Sequence, residues 1–228
     1  MYTTEKIEAL LIGSKTTINN KDFIGFIVSI DEKGEAKHSG IIISFLGKTS
    51  LFHYLPKGVF LEEIDLTKVG FTYSYKEITI VNKSLIRSFL NHRKVIKATA
   101  KPNFGYFYAG SYCENGVYHS DDNTPQLMTC VGFCINVVTG FLEEKSYIEF
   151  SDWVSVSQTA QIWLDNFLIE FKKEFPEVDE GIIRKNLRRI KPSELISSGY
   201  FGKLPIRKVQ TDLVKPVVEE IFMESMQK

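Results

Sequence analysis

Between Asp22 and Val81 the chain passes through five short stretches rich in β-branched and aromatic residues, separated by turns or polar connections. The stretches are DFIGFIVSI, HSGIIISFL, TSLFHYL, GVFLEEI and FTYSYKEITIV. A polar DEKGEAK turn follows the first, and a Pro56-Lys57-Gly58 corner precedes the fourth. Branched side chains suit a pleated surface, and the last stretch alternates as a strand does. The N-terminal half is therefore expected to be mostly antiparallel sheet.

Helical periodicity brackets this sheet. KIEALLIG predicts a short amphipathic helix before it, and from Lys83 to about Lys97 the residues Leu85, Ile86, Leu90 and Val95 mostly recur at three- to five-residue intervals. NFGYFYAG, residues 103–110, is compatible with a return to the sheet. The polar stretch SYCENGVYHSDDNTPQ, residues 111–126, predicts a long loop, and long loops in compact domains are more often functional than idle. Beyond Asp152, Ala160, Trp163, Leu164, Phe167, Leu168 and Phe171 form one apolar helical face. Further helices are expected within EFPEVDEGIIRKNLRRIKPSEL, from Pro192-Ser193, and around Val214, Val217, Val218, Ile221 and Phe222. The fold class expected is α+β. The division is a domain over 1–154 and a helical extension over 155–228 packed on the same domain.

At 228 residues the chain can bury a core without disulfides, and its Lys plus Arg count equals its Asp plus Glu count at 28 each. A balanced charge gives no global field to recruit nucleic acid or an anionic membrane. No apolar run approaches a membrane span or a signal peptide, which predicts a cytoplasmic protein unless a dedicated system exports it. Three cysteines, Cys113, Cys130 and Cys134, fit free thiols in a reducing compartment.

Two cysteines fall inside LMTCVGFCIN. Thr129 is a candidate N-cap, because its hydroxyl can accept from the free amides of a first helical turn; Cys130 would then open the helix. A thiol at that position meets the positive end of the helix dipole, which favours the nucleophilic thiolate. Cys134, one turn on, is expected to pack as a small hydrophobe. A nucleophilic cysteine needs a base, and the chain has four histidines. His38 and His53 lie in consecutive predicted strands, so a hairpin can set their imidazoles side by side, one taking the thiol proton and the other orienting it. Gly40 would leave room beside the strand for a backbone or a substrate. His92, in NHRK, is expected to face solvent.

HSGIIISFLGKTSLFHYLPKGVFLEEI resembles the catalytic-histidine hairpin of NlpC-type papain-like cysteine peptidases, and TCVGFCINVV resembles the start of that family's nucleophile helix. The histidines precede the cysteine here, which is the order of the circularly permuted branch that includes YiiX-like hydrolases and lecithin retinol acyltransferase-like enzymes. NFGYFYAG is similar to the aromatic strand ahead of the nucleophile in that branch. Thr129 and Val131 depart from the acidic residue and the serine that flank the cysteine in unpermuted members. The resemblance covers roughly residues 22–140 and implies a permuted papain-like fold with the nucleophile helix packed on the sheet. It implies Cys130 as nucleophile, His38 as base and then acid, and His53 as the group that fixes the His38 ring. The Cys130 amide would help hold the oxyanion. The implied activity is cysteine-dependent hydrolysis of amide or related acyl bonds through a thioester, as in a thiol protease, amidase or acyltransferase. The implied partner is a peptide-like or acyl-bearing substrate, with no cofactor and no metal.

Two alternatives stand beside it. The same groove can serve a non-catalytic papain-like module that binds a ligand or partner. Cys113, His119, Cys130 and Cys134 can also be drawn as a four-ligand zinc set, although they lack the Cys-x2-Cys knuckle. RKNLRRIK is a basic cluster that most simply forms a solvated helix face. His119 could sit near the thiol in a lid, but a solvated loop position is simpler.

Overall fold

The computed structural model describes residues 3–13, 21–105, 110–120, 124–142, 145–153 and 161–227, with the side chains of 161–164, 183 and 185 outside that description. Among these residues six strands form one antiparallel sheet: β1 (Ile12–Gly13), β2 (Phe23–Ile30), β3 (Ala36–Phe45), β4 (Lys48–Leu55), β5 (Gly58–Glu63) and β6 (Thr72–Glu77). Their order across the sheet is β1-β6-β2-β3-β4-β5. The five expected strands are all present, and the two-residue β1 adds an edge that the sequence pattern did not show.

Local chemistry sets the turns. After β2, the Asp31 carboxylate accepts from the amides of Lys33 and Glu35 at 3.0 and 2.9 Å, and Gly34 supplies the positive φ of 77°. Between β3 and β4, Leu46 and Gly47 both take positive φ, 52° and 75°, as a tight two-residue hairpin requires. An amide contact from Leu46 to the Asp22 carboxylate at 2.9 Å supports that turn.

The next connection has a different consequence. β5 lies at one edge while β6 pairs with β2, so residues 64–71 must pass back across the sheet. Ile64, Leu66 and Val69 pack there on Phe23, Ile27, Ile42, Leu51, Tyr73 and Tyr75, and the Tyr73 hydroxyl donates to the Leu66 carbonyl at 3.1 Å. This crossing roofs one face of the sheet.

The other face carries the larger core. Phe26, Ile41, Ile43, Phe52 and Tyr54 meet α2 (Ile86–Thr99) and α3 (Cys130–Leu142). α3 is apolar almost all round, and Val131 to Val138 are buried without interruption, as expected of a helix enclosed on several sides. A short hairpin, β7 (Ser111–Tyr112) with β8 (Tyr118–His119), lies against it inside the stretch expected to be loop. Contact is close because Gly140 has no side chain: a Cβ there would stand 1.9 Å from the Tyr112 carbonyl oxygen.

The first helix, α1 (Thr4–Leu10), covers the start of the expected amphipathic segment, whose last two residues, Ile12 and Gly13, lie in β1 instead. The C-terminal helices are α4 (Gln161–Glu174), α5 (Glu180–Asn186), α6 (Pro192–Ser198) and α7 (Lys208–Ser225). α6 packs on β2 and β3, and Ile196, Tyr200, Val214, Val218 and Phe222 share a core with Val28, Ile30, Ile7 and Leu11. In α4, Leu168 and Phe171 are buried against Leu127 and Leu187. The expected contributions of Ala160 and of the Trp163 and Leu164 side chains lie outside the described residues, as do residues 106–109 of NFGYFYAG. No helix among the described residues is long and apolar enough to cross a membrane. The molecule is α+β with a mostly antiparallel sheet.

Candidate functional site

His38 and His53 come together as the hairpin predicts. Gly40 pairs with His53 across β3 and β4, so His38 lies diagonally opposite His53 on the same face. His38 Nε2 is 3.0 Å from His53 Nδ1, and the rings meet edge to face at 5.2 Å. The space left by Gly40 is already used: a Cβ there would stand 2.8 Å from Leu51 Cδ1 and 3.1 Å from His53 Cβ. Its lack of a side chain thus lets neighbouring side chains lie across the strand.

These imidazoles border a cleft of about 380 Å³ with Ile27, Ser29, Leu51, Ile64, Val69 and Phe71. Burial holds the His38 pKa down at about 4, with the neighbouring His53 adding to the effect. Burial also lowers that of His53, opposed by the Glu62 carboxylate. Both rings are therefore neutral near pH 7. Among the described residues the buried His53 Nε2 has no hydrogen-bond partner, and Glu62 Oε2 lies 3.7 Å away. Glu62 was not singled out from sequence. The available signal was strand alternation, which sets Glu62 opposite Leu51 on the histidine face.

Cys130 is placed elsewhere. Thr129 caps α3 as expected, its hydroxyl accepting from the Gly132 amide at 3.2 Å, and Cys130 opens the helix half-buried. α3 packs on the sheet face of Ile41 and Phe52, however, with Phe133 5.1 Å from Phe52. Along β3, Ser39, Ile41 and Ile43 turn toward that helix, so His38, Gly40 and Ile42 turn away from it. Cys130 borders a different cleft, of about 620 Å³, between the Lys33–Lys37 turn and residues 189–193. The two clefts share no lining residue among those described. The expected meeting of Cys130 with His38 and His53 thus becomes two separate places, a histidine pair on one face and a cysteine beyond the other. The reason is the two-residue period of β3 and β4.

The remaining candidates take structural positions. Cys134 is fully buried, as expected, and burial pushes its thiol pKa up. His92 corrects an expectation, because it is buried instead of facing solvent. Its Nε2 contacts the Cys113 carbonyl at 2.7 Å and its Nδ1 the Arg93 guanidinium, while burial and that cation lower its pKa to about 4. Cys113 Sγ lies 2.7 Å from Asn115 Oδ1 in the β7–β8 turn, and His119 is exposed on β8. The zinc alternative therefore finds no support: among the described residues no three His, Cys, Asp or Glu side chains gather as metal ligands.

Comparison with protein-family models, with curated proteins and with solved structures finds no match.

Proposed function

We propose that this protein is a binding module that holds a small, mainly apolar ligand in the His38–His53 cleft, with the imidazole pair as its polar anchor. The observation that carries this reading is the 3.0 Å contact between two imidazoles at the edge of an apolar cleft. Ligand sites characteristically combine an apolar lining with few, fixed polar groups, and here a strand register fixes them. The test is NMR titration with p-xylene, following histidine ring signals and the methyls of Leu51 and Val69. Saturable shifts confined to this cleft are expected; their absence up to the solubility limit contradicts the reading.

A cysteine-dependent hydrolase or acyltransferase, on the permuted papain-like plan, is the second reading. It is favoured by the half-buried Cys130 at the capped start of α3, opening on the larger cleft. His38 does not serve as its base in this arrangement. A thiolate without an imidazole can attack an ester or thioester, whose leaving group departs easily. Amide cleavage is less well served, because a leaving amine needs a proton donor. Turnover of an acyl substrate that survives His38→Ala and disappears in Cys130→Ser would favour this reading over the first.

A further inference from the structure

The orientation of Glu62 bears on what the histidine cleft recognises. Its carboxylate oxygen is 3.7 Å from His53 Nε2, about 0.8 Å beyond an ordinary hydrogen bond. The Glu62 side chain is exposed enough to close that gap, whereas the imidazole is held in the sheet. A carboxylate attracts a ring N–H and repels a ring lone pair. Glu62 thus favours the His53 tautomer protonated at Nε2, which leaves His53 Nδ1 as an acceptor.

That choice propagates. The contact between His38 Nε2 and His53 Nδ1 needs one donor and one acceptor, so His38 must donate from Nε2. The remaining His38 nitrogen, Nδ1, then carries a lone pair. Among the described residues this atom has no hydrogen-bond partner, and it is not one of the sealed, unpartnered side-chain atoms. It therefore keeps some accessible surface, on a residue that lines the cleft.

Resting on the proposal that this cleft binds a ligand, we infer that Glu62 fixes both tautomers so that His38 Nδ1 is a bare acceptor, and that the ligand is an uncharged alcohol or phenol on an apolar body. A hydroxyl supplies the one proton that Nδ1 can take. A carboxylate meets a lone pair and an apolar wall, and an ammonium loses its hydration against Ile27, Leu51, Val69 and Phe71. The neutrality of both rings at pH 7 agrees with this selection.

Three probes of one shape, p-xylene, 4-methylphenol and 4-methylbenzoate, test the inference by NMR titration of the whole chain carrying 15N-labelled histidine. The expected result is both imidazoles protonated at Nε2, with 4-methylphenol binding about fivefold to tenfold tighter than p-xylene and 4-methylbenzoate weakest. Its binding should shift His38 Nδ1, and Glu62→Ala should mix the tautomers and bring 4-methylphenol within about twofold of p-xylene. Equal binding of 4-methylphenol and p-xylene to the wild type overturns the inference while leaving the binding reading intact. Binding of none of the three overturns both. A 4-methylphenol preference that persists in Glu62→Ala with unchanged tautomers removes Glu62 from the account.

Discussion

Phe52 and His53 are consecutive residues whose side chains leave β4 on opposite faces of the sheet. Phe52 stands 5.1 Å from Phe133 of α3, while His53 reaches His38 at 3.0 Å on the other side. This one alternation separates the cysteine helix from the histidine pair. A general base works within about 2.6–3.2 Å of the atom whose proton it takes, directly or through one water, and an intervening sheet prevents that.

Gly40→Ala should disturb the histidine pair through packing. The new methyl would meet Leu51 Cδ1 at 2.8 Å and His53 Cβ at 3.1 Å, with the Phe52 carbonyl oxygen at 3.2 Å. A loss of about 1–3 kcal/mol is expected by urea denaturation, together with changed chemical shifts at both rings. Wild-type stability and unchanged ring shifts would mean that the strands adjust without moving His53.

Much of this arrangement was legible in the sequence, and the part that was not has a definite cause. DFIGFIVSI through FTYSYKEITIV marked the five main strands because β-branching and turn residues act locally. Thr129 and the apolar run after it likewise marked the start of α3. His38 beside His53 followed from one hairpin. Which face α3 covers is a long-range choice between the Ser39-Ile41-Ile43 side and the Gly40-Ile42 side, and both are apolar enough to be covered. The burial of His92 was hidden for a similar reason. NHRK looks polar, yet Arg93 is itself enclosed by aromatic rings, with its guanidinium 3.8 Å from the Phe89 centroid.

That enclosure makes Arg93 a sensitive position. Its guanidinium also lies 5.8 Å from the rings of both Phe52 and Phe141, and Nη1 donates to the Val137 carbonyl at 3.5 Å. Arg93→Ala is expected to cost about 3–5 kcal/mol, since it empties buried volume and removes the cation from its aromatic neighbours. Arg93→Met should cost less than half as much, because it keeps much of the volume and buries no charge. Equal losses in urea denaturation would show that the charge outweighs the volume.

Acid should weaken the fold before most carboxylates titrate. His38 and His92 have native pKa values of about 4 against a usual value of 6.5, so the unfolded chain binds more protons between those limits. Their contribution is fully present above about pH 6.5 and is lost as pH falls toward 4. A decline of at most about 2–3 kcal/mol from each ring is expected across that window, smaller in total in His38→Ala and in His92→Gln if each variant folds. A flat stability profile from pH 7 to 4.5 would contradict the neutral, buried state of these rings.

The most direct measurement of the separation is the pH dependence of iodoacetamide alkylation at each cysteine, read by mass spectrometry in the wild type and in His38→Ala. The account expects Cys130 to react with the same rate profile in both proteins and Cys134 to stay unmodified while the fold is intact. Rapid reaction of Cys130 well below the roughly 8.5 of a free thiol, abolished by His38→Ala, would show that the thiol and the imidazole meet. That result would contradict the separation and restore a cysteine–histidine catalytic site.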